Sequence, residues 1–358
     1  MRTPPAGAMP MPTPETDVVA ARPTVALAAA SGIGDAVRAT PLVVALHRLG
    51  WAVDVVLLAD YAGTAAIIEG APEVRRVLEV PNARAAAGPL AGEPWDLAVV
   101  SPLARRLARR LPAHRTMTVD PARWKRDGDA ACWADVAHRL GWKGAMPRPF
   151  IRGSDRRFAI EPGTVALHPG CKPGWPWKRW HGFPALAAAL PRVVVVGTDD
   201  DRDAAGAYFG RMDPWPAHVR DFTGQLPLPD TVALLGQCAA LVANDSGLLH
   251  VAAALGIPAV GVFGLTSPAR ELMPLPNAHA VTGGLACEPA CRRRPWGRRD
   301  CHRHLECLRT LEPERVLARL AEVVEPEAFA AVRACGPHGP ATRRAAARSP
   351  ARLHVAGG

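Results

Sequence analysis

The residues Asn244, Asp245, Ser246 and Gly247 stand between an apolar run, ALVAND from Ala240, and an Ala-rich run that carries His250 and stops at Gly256. With PAVGVFG (258–264) behind them, they read as strand, tight turn, helix and second strand, a βαβ unit. The free amides and the dipole at such a helix start attract an anion. Gly247 lets a phosphate approach the backbone, Ser246 offers a hydroxyl, and His250 lies one turn further on. The plainer alternative is that Asp245 or Ser246 only caps the helix and that His250 is a satisfied core histidine.

Three further turns bear on that choice. TVALHPGCKPGWPWKRWHGF (164–183) puts His168, Pro169 and Gly170 at a strand end and Lys178 in the Trp-rich loop that follows, where an ammonium could neutralise a diphosphate. VVVVGTDDDRDAA (193–205) follows a strand with acids, a place where α/β nucleotide folds bind ribose hydroxyls. A ribose role or plain helix capping suits this run better than the Asp-x-Asp metal trap that Asp199 to Asp201 also match. GLTSP (264–268) ends the last strong strand with Thr266 and Ser267 available for phosphate or sugar. Four turns at one sheet edge favour a nucleotide diphosphate site.

In the first half the notable turn is Gly32-Ile33-Gly34-Asp35. Its glycines let backbone approach a ligand, but Arg38 occupies the third position of the dinucleotide fingerprint, which disfavours hydride chemistry. Asp35 could take the proton of an attacking hydroxyl. Helix capping competes with that role, because a helix N-terminus weakens a carboxylate as a base.

Two clusters stand apart. Cys287, Cys291, Cys301 and Cys307 form C-x3-C-x9-C-x5-C beside His302 and His304, enough thiols for a structural Zn or Fe ion that stiffens a loop without doing chemistry; a reduced, partly buried loop is the alternative. ARRLARRLPAHR (104–115) sets Arg105, Arg106, Arg109 and Arg110 on a short helical pattern, followed by Arg123, Trp124, Lys125 and Arg126. That surface suits a phosphorylated glycan or lipid at the inner face of a membrane, with a solvated charged face as the alternative.

These residues need elements to hold them. Strands are expected at 24–30, 51–59, 76–80, 95–101, 164–170, 192–197, 240–245, 258–264 and 279–283. Helices are expected from 35 to about 49, over 183–190 and over 230–238. Alternation at this spacing predicts two doubly wound parallel α/β domains, 23–155 and 156–330, with a cleft between the C-terminal ends of their sheets. Residues 1–22, Pro-rich and without an apolar h-region, read as a disordered leader, and 336–358 as a disordered basic tail. The 358 residues carry a net charge of +10, which favours an acidic partner, and no apolar run is long enough to span a membrane. Eight cysteines without a secretory signal suggest a cytoplasmic setting, and no nucleic-acid module is present.

Taken together, SGIGDAVRATP, HPG…WKRWHGF, FTGQLPLPDTVALLGQC, NDSGLLHVAAALGIPAVGVFG and the Cys-bearing segment ending in CLRTLEPERV resemble the heptosyltransferase family of glycosyltransferases, family 9. The matches run in family order from about Thr24 to Leu320. The resemblance implies a GT-B fold, two Rossmann-like domains facing a cleft. It also implies metal-independent, inverting transfer of a sugar, with ADP-heptose favoured as donor and lipopolysaccharide core or another phosphorylated glycan or lipid as acceptor. Carried over, it makes Asp35 the base and Lys178 the phosphate-binding lysine. Asp245, Ser246, Gly247 and His250 become the donor loop, with His168, Gly170, Asn244 and Thr266 beside it and Asp201 near the ribose. Gly32, Gly34, Arg38, Arg105 and Arg109 fall on the acceptor side. Relatives carry cysteines in the 287–307 loop, one with iron. The chain departs from the family in its longer Trp-rich loop, where Lys172 or Arg179 are alternatives to Lys178, and in GLTSP. A nucleotide-sugar 2-epimerase on the same fold and a non-catalytic binding protein are the alternative functions.

Overall fold

The structure is a computed structural model, and it describes residues 22–29, 32–58, 62–81, 90–172, 174–202, 213–287, 301 and 303–324. The expected leader, the basic tail and Cys291 lie outside the described residues. The first sheet contains β1 (Thr24–Ala28), β2 (Ala52–Leu58), β3 (Arg76–Val80), β4 (Trp95–Val100) and β5 (Ala113–Thr118), in the order β3-β2-β1-β4-β5. The second contains β6 (Val165–His168), β7 (Val193–Val195), β8 (Arg220–Asp221), β9 (Ala240–Asn244), β10 (Ala259–Phe263) and β11 (Ala278–Thr282), in the order β11-β10-β9-β6-β7-β8. Every pairing is parallel. Each order is that of a dinucleotide-binding sheet, which reverses direction between its first and fourth strands. The reversal falls between β1 and β4 in one half and between β6 and β9 in the other.

Helices α1 (Ile33–Arg48), α2 (Pro121–Asp127) and α3 (Asp129–Arg139) belong to the first half. The second half holds α4 (Phe183–Ala188), α5 (Leu228–Leu235), α6 (Gly247–Leu255) and α7 (Pro268–Glu271). Strand β1 shows why the sheets are covered on both sides: Val25 and Leu27 enter one buried cluster, while Ala26 and Ala28 enter another. The first cluster continues through Leu42 and Leu46 of α1 and Trp133 of α3 into Leu249 of α6, Leu241 and Phe263, so apolar packing crosses from one half to the other. Residues 140–164, between the halves, contain neither helix nor strand.

Two expectations are corrected. The Arg-rich segment is not a regular helix. A 3-10 turn at Pro102–Ala104 gives way to further turns and then to β5, an edge strand with alternating polar residues. Trp124 does not join the basic surface either, because it is buried edge-on against Trp133, ring centroids 5.4 Å apart.

Candidate functional site

The site assembles where the two reversal points face each other. In the second half β9 delivers Asn244 and Asp245 to the start of α6. Ser246 takes the N-cap position with extended backbone, yet its side chain makes no capping bond. Its hydroxyl is buried and has no hydrogen-bond partner among the described residues, and neither has Nδ1 of His250. The capping reading of Ser246 and the satisfied-core reading of His250 therefore both fail at the level of hydrogen bonds. The other end of the α6 register is ordinary: Gly256 closes the helix in the left-handed conformation at φ +84°.

Asp245 is buried and receives the Lys178 ammonium at 2.6 Å. Burial would raise its pKa, but the Lys178 charge and hydrogen bonds from Lys178 and Thr266 outweigh that and hold it at about 2. Lys178 ends the 3-10 turn Pro176–Lys178, and its ammonium lies 5.1 Å from the ring centroid of Trp175. The Trp-rich loop thus places Lys178 itself at Asp245, while its neighbour Arg179 pairs with Asp201 at 3.3 Å.

Several residues expected at the donor brace the loops around them. Asn244 gives its amide hydrogens to the carbonyls of Pro169 (2.6 Å) and Gly170 (3.4 Å) and accepts from the Trp180 N–H at 3.0 Å. Both amide hydrogens and one lone pair of its oxygen go into holding the 169–180 loop, so it acts as a clasp on that loop. His168 is buried and gives its Nδ1 hydrogen to the Val196 carbonyl at 2.9 Å. Asp201 is buried too, and accepts from both the backbone N–H and the hydroxyl of Thr198 as well as from Arg179. Gly170 leaves room for that carboxylate, since a β-carbon there would fall 2.3 Å from it.

In the first half Gly32 caps α1 with extended backbone, and Asp35 reaches back to accept the Gly32 N–H at 3.2 Å. Its other oxygen takes a hydrogen bond from Arg38 at 2.7 Å. Arg38, expected to face an acceptor, is instead only 9% exposed. Its Nε meets Asp129 of α3 at 2.5 Å, and Nη1 donates to the Glu271 carbonyl and to Nε2 of His250, both at 3.1 Å. A guanidinium can only donate, so Nε2 of His250 is the acceptor and its proton sits on Nδ1. Burial first, and then the Arg38 charge, push the His250 pKa well below its ordinary value, so the imidazole is neutral. Burial likewise lifts Asp129 to about 6, with Arg38 opposing and Asp35 and Glu271 adding to the rise. Gly34 serves the meeting of the two halves, for a β-carbon there would lie 2.8 Å from the His250 ring.

Arg105 and Arg109 stay exposed on the turns after β4, outside this cluster. Cys287 and Cys301 are half-buried and Cys307 is buried. Among the described residues no group of three or more His, Cys, Asp or Glu is arranged to hold a metal ion. Asp129 and Glu271 were not singled out from the sequence. Each reads locally as an acid in the first turn of a helix, and nothing in the spacing of 38, 129 and 271 announces that they meet.

Lipopolysaccharide heptosyltransferase 2 of Salmonella typhimurium is 35% identical over 143 residues, 38% of this chain and 39% of the relative. Its Escherichia coli K12 counterpart is 35% identical over 172 residues, 44% and 47% of the two chains. The matched segment thus spans less than half the length of either curated relative. The structure of E. coli ADP-heptose lps heptosyltransferase II superposes with a TM-score of 0.64 at 22% identity, over 85% of this chain and 99% of that one. The fold is therefore GT-B. Residues 148–295, which include Lys178, Asp245, Ser246 and His250, match the model of glycosyltransferase family 9 (heptosyltransferase).

Proposed function

We propose that the chain is an inverting, metal-independent glycosyltransferase that moves a heptose from ADP-heptose to a lipopolysaccharide-core acceptor. One observation carries the reading: two buried donors, the Ser246 hydroxyl and the His250 Nδ1–H, have no partner among the described residues and sit in the first turn of α6, beside the Lys178–Asp245 pair. Buried donors seek acceptors, and the oxygens of a diphosphate at a helix N-terminus supply them. In the proposed step Asp35 takes the acceptor hydroxyl proton and the oxygen forms its bond to the anomeric carbon. The bond from that carbon to the phosphate oxygen breaks, and its electron pair leaves with ADP. Lys178 and the α6 amides stabilise the charge growing on the diphosphate. The second half, 156–330, binds the donor and the first, 23–155, the acceptor. Exposed Arg105, Arg106 and Arg109 offer the acceptor half a basic surface for phosphorylated lipid at the inner membrane face. No helix among the described residues is long and apolar enough to cross a membrane.

Titration calorimetry with ADP, UDP, GDP and dTDP tests the donor half of the reading. ADP should bind most tightly, Ser246→Ala should weaken it about tenfold, as loss of a hydrogen bond to a charged group does, and Asp35→Ala should leave it unchanged. Lack of binding by all four nucleotides at millimolar concentration would favour the non-catalytic scaffold. Transfer from ADP-heptose that survives Asp35→Ala would remove that residue as the base.

A further inference from the structure

Arg38 holds more of the molecule together than any other side chain at the site. It lies one helical turn after Asp35 and meets two carboxylates of its own half, Asp35 at 2.7 Å and Asp129 at 2.5 Å. Its third nitrogen meets the other half: the imidazole of His250 and the carbonyl of Glu271, both at 3.1 Å, and the Glu271 carboxylate at 3.5 Å. A planar fork of five donors can address such scattered acceptors at once, which an ammonium cannot. Without it three largely buried carboxylates from α1, α3 and α7 would face one another uncompensated, and buried like charges repel strongly.

We infer that Arg38 is a positioning residue that fixes the Asp35 carboxylate for proton abstraction only when the two halves have closed on each other, because the same guanidinium bonds Asp35 and the His250–Glu271 edge of the opposite half. The base-positioning part rests on the proposed transferase reading; the clamp itself does not. The groups that face Asp35 are Arg38 on its own helix, Asp129 from α3, Glu271 from α7 and neutral His250 from α6, with the Lys178–Asp245 pair behind His250. Arg38 donates directly to Asp35, so its loss frees that carboxylate to leave the orientation it holds.

The test uses full-length protein carrying Arg38→Met, Arg38→Lys or Glu271→Gln. Small-angle scattering of the unliganded chain should show a larger radius of gyration for Arg38→Met, and a smaller change in the same direction for Glu271→Gln, which keeps the main-chain contact. In transfer from ADP-heptose, Arg38→Met should lower kcat by about 100-fold, the low end of what a general base contributes, while the donor KM moves less than about threefold. Arg38→Lys should remain slow, since the charge returns without the fork. Unchanged scattering in both Arg38→Met and Glu271→Gln would overturn the clamp. An Arg38→Met enzyme that keeps its kcat, or whose loss appears in the donor KM and not in kcat, would overturn the positioning of Asp35. If Arg38→Met does not fold, Glu271→Gln and Arg38→Lys decide both points. A wild-type chain that transfers nothing from ADP-heptose removes the base-positioning part along with the transferase reading, and the scattering then decides the clamp alone.

Discussion

Gly34 and Gly247 meet back to back across the two halves of the molecule. A β-carbon on Gly34 would lie 3.4 Å from the Gly247 Cα, and one on Gly247 would lie 2.9 Å from the Ile33 Cβ and 3.2 Å from the Gly34 nitrogen. Each glycine lies in the first turn of a helix, α1 or α6, so both helix starts converge on one place because neither position carries a side chain.

That contact predicts the effect of a single methyl group. Gly247→Ala forces backbone, and not a flexible tip, to give way, and overpacking of this kind costs about 1–3 kcal/mol. The cost falls on the closed arrangement while each half can still fold. The expected outcome is a thermal midpoint lowered by a few degrees at most and transfer activity reduced at least tenfold. A variant with full activity would show that catalysis does not need the halves this close.

Asn244→Ala should act on the Lys178 loop and not on chemistry. It strips the Trp180 N–H and the Pro169 carbonyl of their partner in a buried place, which costs about 1–3 kcal/mol for each group left unsatisfied. Urea unfolding should report that loss. In kinetics the donor KM should rise while kcat at saturating donor stays within about threefold; a large fall in kcat alone would contradict the clasp.

The Lys178–Asp245 pair gives the fold an acid limb. Asp245 moves from 3.8 in the open chain to about 2 in the folded one. A carboxylate depressed on folding stabilises the protein above its unfolded pKa and loses that contribution as the pH falls through the folded one, here from about 4 down to 2. At 1.36 kcal/mol per pH unit the contribution is about 2 kcal/mol. Denaturation between pH 2 and 5 should therefore show a steeper loss for the wild-type chain than for Asp245→Asn. Parallel curves would mean that the pair does not hold that carboxylate down.

Much of this architecture was legible in the residues. Nine of the eleven strands were expected from short apolar runs, and the central ones, such as β1, β9 and β10, are apolar nearly throughout because they are covered on both faces. β5 did not, since an edge strand reading AHRTMT alternates with exposed polar side chains and its flanking arginines imitate a helix face. β8, two residues long, carries no period at all. At the site the turns at 32–35 and 244–250 were visible because glycine, acid and helix start are local signals. Their division of labour was not. Whether Asn244 binds a ligand or a loop, and whether Arg38 faces outward or inward, depends on what the opposite half brings to them, and no local spacing encodes Asp129 or Glu271.

The repeated strand order has an evolutionary consequence. Two sheets of the same winding, each contributing the loops at its own reversal point, give the proposed acceptor and donor sites separate sets of loops. Under the proposed transferase reading, substitutions after β1 and β4 retune what is accepted, and those after β6 and β9 what is donated. The joint at Arg38, Gly34 and Gly247 limits that freedom, because residues of both halves there touch one another directly, as they do in the apolar cluster that the halves share. Diversification of such a fold is thus free at its rims and constrained where its halves touch, and a chimera that exchanges one half for a homologue's must carry matching partners at that joint.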